Sequence, residues 1–231
     1  MVRSFKLGLV MAGIAVLAAC GSPPEPAPPP PPPVVVAIPP RPTPPNGAAP
    51  NLSVPPRDST GLYQSVNRGI TDAQMVWNLR SALNVAALNC RDGQFAEVLA
   101  DYRHFLTTHA TALTAANKQV DAEFKASYGA RYIPYRETYM TGVYNHFALP
   151  PTQPGFCAAV MAVGREARTI RSADLGNFAM RSLPSIEVVF DDFYRRYDQY
   201  RANLAAWEAR YGTRNSMATP PSYGMAQGGA N

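Results

Sequence analysis

The chain has 231 residues, of which 46% are hydrophobic and 16% are charged, and its formal net charge is +5 at pH 7. This apolar content can build a hydrophobic core, so a wholly disordered chain is excluded. Because 17 of the 24 prolines fall between residues 23 and 56, the remainder is limited to one globular domain of about 155 residues.

The first 22 residues are organised like a secretory signal. Arg3 and Lys6 precede an uncharged apolar run over residues 7–16, which is shorter than the roughly 20 residues that a membrane-spanning helix needs. The run leads into the sequence Leu-Ala-Ala-Cys at residues 17–20, which resembles the lipobox of bacterial lipoproteins. The resemblance implies that a diacylglyceryl group is attached to the Cys20 thiol, that the chain is cleaved before this residue, and that the new amine is acylated.

Residues 1–19 are therefore interpreted as a lipoprotein signal peptide, and the lipid on Cys20 as a membrane anchor. Two or more acyl chains hold a protein stably at a membrane, whereas one chain does so only marginally. By analogy with the sorting rule of enteric bacteria, Gly21 and Ser22 in place of an aspartate favour the outer membrane over the inner one. An ordinary secreted protein with an unmodified cysteine is the alternative.

Residues 20–56 form a proline-rich linker, with six consecutive prolines at 28–33. Proline holds φ near −65° and has no N–H group, which favours the polyproline II conformation. The 36 residues after the anchor would reach at most about 110 Å at about 3.1 Å per residue. We expect a disordered, semi-rigid stalk that holds the domain away from the lipid surface. A docking site for a proline-recognising partner is the alternative.

Residues 57–212 predict an all-α fold, a bundle of four to six helices in which two long helices lie antiparallel. Thr71 and Gln74 fit a capping box, which marks the start of a first helix over 72–91. The second helix extends over 94–129, where apolar residues alternate at steps of three and four, the spacing of a seam between packed helices.

Four further segments complete the predicted organisation. The third and fourth helices begin near Pro134 and Pro154, because proline is favoured in the first turn of a helix. A weakly patterned stretch over 172–182 predicts a short helix. The last helix, over 186–211, is the most regular, with apolar or aromatic residues at steps of four and three throughout. The tail at 213–231 is expected to be disordered.

Two cysteines remain for a disulfide once Cys20 carries lipid. Cys90 lies at the end of the first predicted helix and Cys157 at the start of the fourth, where antiparallel neighbours would bring them together in an oxidising periplasm. We therefore predict a bond between these two residues, which stabilises the fold by about 4 kcal/mol on the chain-entropy model. Two separate buried thiols are the alternative.

Motifs of catalysis and of metal or cofactor binding are absent from the sequence. It contains no G-x-S-x-G, no H-E-x-x-H, no phosphate-binding glycine loop and no C-x-x-C. His104 and His109 are five residues apart and do not share a helical face, so His109 is expected to be a core histidine. His146 is expected to cap a helix end. We predict no catalytic residue, no metal site and no cofactor.

Arginine outnumbers lysine by 18 to three. Arg165, Arg168 and Arg171 recur every three residues, and such a face can bind the phosphate or carboxylate groups of lipopolysaccharide or peptidoglycan. A solvated helix face is the alternative. Over residues 57–212 there are 17 basic and 15 acidic side chains, and this balance of +2 is too small to predict nucleic-acid binding.

Twelve tyrosines are the second enrichment. Tyr135 and Tyr139 on the third helix, together with Tyr197 and Tyr200 on the last, predict a tyrosine-lined binding groove between these helices. Packing of the same rings into the core is the alternative.

These features together predict a membrane-anchored periplasmic lipoprotein whose helical domain is a non-enzymatic binding or scaffold module. Its partner is expected to be an envelope protein, peptidoglycan or lipopolysaccharide. One alternative is a cell-envelope hydrolase, which would need a pocket that joins two carboxylates, or a histidine and a hydroxyl, with shifted pKa values. The other is small-ligand or metal binding in the bundle core, which would need Met75, His109 and Met161 to converge on one cavity.

Overall fold

The computed structural model describes residues 37–212. Over this range the chain forms six α-helices and no β-strand: α1 (Asp72–Asn89), α2 (Glu97–Thr108), α3 (Ala110–Tyr128), α4 (Tyr132–Phe147), α5 (Gln153–Ala167) and α6 (Leu175–Trp207). The predicted all-α bundle is confirmed, and its two longest helical stretches comprise 38 and 41 residues. The first of these stretches is a hairpin of α3 and α4, which turns at Gly129 with φ of +61°.

Helix α1 is the centre of the bundle, because it contacts each of the other five helices. The predicted capping box is present at its start: the Gln74 N–H donates to the Thr71 hydroxyl, and the Thr71 N–H donates to the Gln74 side chain. The predicted apolar stripe is buried at Leu79, Leu83 and Ala86. Small and polar residues on its other faces are buried as well, as expected for a helix enclosed on several sides.

The second predicted helix is divided into α2 and α3 at His109, whose φ of −106° and ψ of 15° interrupt the helix. A tertiary contact accounts for the break. The Ser172 hydroxyl donates to the carbonyl of Thr108 and lies 3.1 Å from Nδ1 of the fully buried His109 ring. Both helices pack on α1. The apolar spacing of the sequence therefore continues through His109 and gives no indication of the break.

The last predicted helix is longer at its N-terminal side than expected, because it includes most of the weakly patterned stretch. Helix α6 continues through Pro184, although proline in a helix interior costs about 3 kcal/mol and leaves one carbonyl without its usual partner. Residues on both sides of it are fully buried, including Phe178 and Ile186. This burial against α1 and α5 offsets the cost.

The predicted disulfide between Cys90 and Cys157 is confirmed, with 5.6 Å between the two Cα atoms. It joins the residue after α1 to the first turns of α5, and both cysteines are buried. The two cysteines are 67 residues apart along the chain. On the chain-entropy model, a disulfide that closes a loop of this length contributes about 4 kcal/mol to the stability of the fold.

The start of the compact domain differs from the prediction. We expected the linker to extend to residue 56, whereas the compact unit begins at Pro39. The physical reason is that main-chain groups of residues 39–56 bond side chains of α6, as described below. The predicted signal peptide, Cys20, the first part of the predicted linker and the tail at 213–231 lie outside the described residues. Between residues 37 and 212, none of the helices has both the length and the apolar content required to cross a bilayer.

Candidate functional site

Residues 39–68 run along α6 and join the proline-rich part of the chain to the helical domain; we call this segment the strap. Its first residues lie at the C-terminal end of α6. There Nε1 of Trp207 donates to the Pro39 carbonyl over 2.8 Å, and the Arg41 guanidinium bonds the Glu208 carboxylate over 2.6 Å. Proline-rich backbone makes no internal hydrogen bonds, so its carbonyls are free to accept from the helix.

The middle of the strap is held by Tyr197, which is fully buried. Its hydroxyl donates to the Ala49 carbonyl over 2.6 Å and accepts from the Leu52 N–H over 2.9 Å. Arg201 donates to the Leu52 carbonyl over 2.6 Å, and its guanidinium lies 4.9 Å from the centre of the Tyr197 ring. Two neighbouring side chains of α6 thus bond three main-chain groups of the strap and fix its path.

An ionic cluster joins the next part of the strap to α6. The Tyr63 hydroxyl donates to the Asp198 carboxylate over 2.7 Å, and Arg57 bonds the same carboxylate over 2.9 Å. Burial and the bond to Asp198 raise the pKa of Tyr63 to about 12. The phenol therefore stays protonated at neutral pH and remains a hydrogen-bond donor to the helix.

The end of the strap meets a buried carboxylate, that of Glu187, which is 2% exposed. Ser65 donates to it over 2.7 Å and Asn67 over 2.6 Å, and Nε2 of His146 lies 2.8 Å from Oε1. Burial alone would raise the pKa of Glu187, but the bonds from His146, Ser65 and Asn67 outweigh it and lower that pKa. His146 therefore contacts a carboxylate of α6, and does not act as the helix cap that we expected.

A second set of hydrogen bonds extends this network to α1 and α4. Nδ2 of Asn78 donates to the Asn67 side chain over 2.8 Å and to the Tyr139 hydroxyl over 2.8 Å. Burial raises the pKa of Tyr139 to about 12. Asn78 is fully buried, and a buried amide needs partners of this kind to avoid a desolvation penalty. The network connects the strap to three helices.

Glu187 lies near a serine and a histidine, which are the residue types of a hydrolase triad. In this arrangement, however, both Ser65 and His146 bond the same carboxylate, so the histidine does not lie between the hydroxyl and the acid as in a catalytic triad. All three side chains are enclosed. Five surface clefts, with volumes of about 200 to 380 Å³, are lined by other residues.

The three arginines predicted as an anion-binding face already bind carboxylates of the chain. Arg165 bonds Glu97 over 3.0 Å, Arg168 bonds the buried Asp101, and Arg171 bonds Asp174 over 2.7 Å. The first two pairs join α5 to α2, so these arginines connect helices. An incoming phosphate or carboxylate would have to compete with those partners.

The four tyrosines predicted to line one groove lie in two separate places. Tyr139 bonds Asn78 of α1, and Tyr135 is 52% exposed beyond it on α4. Tyr197 and Tyr200 are buried on α6, with 5.4 Å between their ring centres. Tyr200 also lines a cleft with prolines of the strap. The α6 half of the predicted groove therefore faces a segment of the same chain.

Histidines and carboxylates form no cluster of three that could hold a metal ion between residues 37 and 212. His109 contacts Ser172 and Phe105, and burial lowers the pKa of its imidazole. The sequence pattern correctly placed His109 in the core. The burial of Glu187 was not predicted. Its spacing from Leu183 and Phe190 places it on the same apolar face of the helix, and this spacing could have indicated a buried acid.

The strap and its partners on α6 thus form a series of polar contacts that begins at Pro39 and ends at Glu187. No protein-family model, no curated protein and no solved structure matches this chain. The contacts and charges of the chain itself therefore carry the functional conclusion.

Proposed function

We propose that the protein is a lipid-anchored lipoprotein whose helical domain faces the periplasm as a non-enzymatic binding or scaffold module for a cell-envelope component. The observation that carries the proposal is the strap. It joins the segment that follows Cys20 directly to α6 through Trp207, Tyr197, Asp198 and Glu187.

The strap shortens the part of the linker that can separate the domain from the membrane. With residues 39–56 on the domain, 18 residues separate the lipidated cysteine from Pro39. Those residues reach at most about 55 Å in a polyproline II conformation, which is half of the span expected for the whole linker. The domain would therefore stay near the membrane that carries the lipid, with the C-terminal end of α6 closest to the tether.

The enclosure of the Glu187 network supports a binding role over an enzymatic one. The Glu187 network is enclosed and saturated with hydrogen bonds. The disulfide and the pairs between α2 and α5 favour a rigid domain. A rigid body without a reactive cleft suits the presentation of a surface to a partner.

Cys20→Ser tests the anchor. Because the lipid is attached to the thiol, this variant should remain unprocessed or leave the membrane fraction, whereas Ser22→Ala should be processed and sediment like the wild type. Intact-mass spectrometry of the mature chain should show the acyl groups on residue 20. Unchanged membrane fractionation of the Cys20→Ser variant would contradict the proposal, and flotation of the wild type with inner-membrane vesicles would contradict the outer-membrane assignment.

A further inference from the structure

The hairpin of α3 and α4 ends in a surface of aromatic and basic side chains, which we call the tip: Phe124, Lys125, Tyr128, Arg131 and Tyr135. Its three rings form a row, with 5.9 Å between Phe124 and Tyr128 and 4.1 Å between Tyr128 and Tyr135, and neighbouring rings are within 20° of parallel. Tyr128 and Tyr135 are 46% and 52% exposed. Folding therefore leaves about half of each tyrosine open to solvent.

A polar cleft of about 200 Å³ lies beside this row of rings. Phe124 and Tyr128 form its aromatic side, Thr71, Gln74 and Ser127 contribute hydroxyl and amide groups, and the Glu123 carboxylate lines it as well while it accepts from the Thr71 hydroxyl. The volume is below the range of roughly 300 to 1,000 Å³ that encloses a whole small molecule. A cleft of this size instead suits one unit of a repeating polymer, held by an aromatic face and a few hydrogen-bonding groups.

The charge of the tip indicates which polymer would fit. Lys125 lies three residues before Tyr128 on α3, so the two side chains are neighbours on the helical surface, and Arg131 follows the turn at Gly129 directly before α4. Both are exposed, and neither forms an ion pair within residues 37–212. The arginines of α5, by contrast, are neutralised by carboxylates. The tip thus combines open ring faces with cations that are available to an acidic ligand.

The tip lies at the end of the bundle where α1 begins. Glu123, next to the rings, accepts a hydrogen bond from Thr71 at the start of α1. The other end of α1 meets Gln153, and the adjacent Pro151 bonds Asn46 of the strap. Helix α1 has 18 residues and is therefore about 27 Å long. The tip and the contact made by Asn46 therefore lie at opposite ends of this helix.

We propose that the tip binds the glycan strands of peptidoglycan, with a sugar ring on the open face of Tyr135 and acidic groups of the strand or its stem peptides on Lys125 and Arg131. This inference rests on the proposed function, because it assumes a domain anchored in the envelope with its tip directed away from the lipid. Peptidoglycan combines sugar rings with carboxylates. Lipopolysaccharide offers similar chemistry, but it lies in the membrane, at the tethered end.

The test is sedimentation of the full-length mature protein, solubilised in detergent, with purified peptidoglycan sacculi. Tyr135→Ala combined with Arg131→Ala should weaken the apparent affinity about tenfold, which corresponds to about 1.4 kcal/mol, since both an aromatic contact and a charged contact are lost. Tyr135→Phe should retain binding, because the ring face remains. The matched control is Leu88→Ala combined with Arg91→Ala, an exposed apolar and basic pair at the other end of α1.

Each result of this experiment decides the inference. Loss of binding in the tip variant, with retention in the control, supports it. Equal binding by both variants, no binding by the wild type, or a preference for lipopolysaccharide vesicles over sacculi would overturn it. Crosslinking of an envelope protein to Tyr135, without sacculus binding, would overturn it as well. None of these results affects the anchor, which fractionation of the Cys20→Ser variant tests independently.

Discussion

The two ends of the bundle use their tyrosines in different ways. Along the strap, the hydroxyls of Tyr63 and Tyr197 bond a carboxylate and main-chain groups, and both rings are buried. At the tip, Tyr128 and Tyr135 stack on each other and remain half exposed. The same residue type therefore fastens the chain to itself at one end and leaves ring surface open at the other. An enrichment in tyrosine identifies a binding surface only where folding leaves the rings without partners.

The largest loss of stability is expected for Glu187→Ala, which leaves the donors of Ser65, Asn67 and His146 without their shared acceptor. Breaking a buried charged network of this kind costs about 3 to 5 kcal/mol. Chemical denaturation should show that loss in the free energy of unfolding. Asp192→Ala is the control, because Asp192 pairs with arginines at the exposed surface, where a pair contributes about 1 kcal/mol or less. Equal losses in the two variants would show that the network is not a special feature of the strap.

Tyr197→Phe at the strap and Tyr135→Phe at the tip together compare the two regions. Tyr197→Phe removes the hydroxyl that bonds Ala49 and Leu52, so unfolding should become easier by about 1 to 2 kcal/mol. Limited proteolysis should cut residues 39–56 faster than in the wild type. Tyr135→Phe at the tip should change neither measurement. A strap that resists protease equally in both variants would mean that Tyr197 does not fasten it.

The pH dependence of stability should depend on His109. Burial lowers the pKa of this imidazole below its ordinary value, so the unfolded chain takes up a proton before the folded chain does as the pH falls. The free energy of unfolding should therefore be complete above about pH 6.5 and decline below it. In His109→Leu the decline below about pH 6.5 should be reduced. A variant with an unchanged slope in that range would assign the acid sensitivity to other groups.

The smallest effect on folding is expected at the tip. Tyr135→Ala removes one stacked ring from an exposed position, and an aromatic pair contributes about 0.5 to 1.5 kcal/mol. The free energy of unfolding should therefore fall by about 1 kcal/mol or less, while sacculus binding falls much more. A larger loss of stability would show that the rings serve folding, and it would weaken the contrast between the two ends.

Sequence periodicity predicted most of the bundle because apolar spacing and capping are local properties. Thr71 and Gln74 lie three residues apart, so their capping box was readable without any tertiary contact. Phe190, Phe193 and Tyr197 repeat at helical spacing, and all three are fully buried on α6. The pairing of Cys90 and Cys157 also followed from the sequence, because few cysteines and a helical order left one bridge to predict.

The candidate sites were less predictable, because their properties depend on partners that are distant along the chain. Arg165 and Arg168 form an open face on an isolated helix, and only the packing of α2 against α5 supplies Glu97 and Asp101. Tyr197 likewise predicts a free groove, because its hydrogen bond to the carbonyl of Ala49, 148 residues earlier, is not visible in the local sequence. Local patterns could propose these surfaces but could not show which of them folding would fill.

By itself, the sequence determined the all-α class, most helix positions, the disulfide and the expectation of a lipid anchor, because each follows from neighbouring residues or from a short motif. Tertiary structure alone decided the break at His109, the continuation of α6 through Pro184 and the start of the domain at Pro39. In each case a contact between distant segments outweighed the local preference: Ser172 at the break, burial on both sides of the proline, and side chains of α6 for the strap.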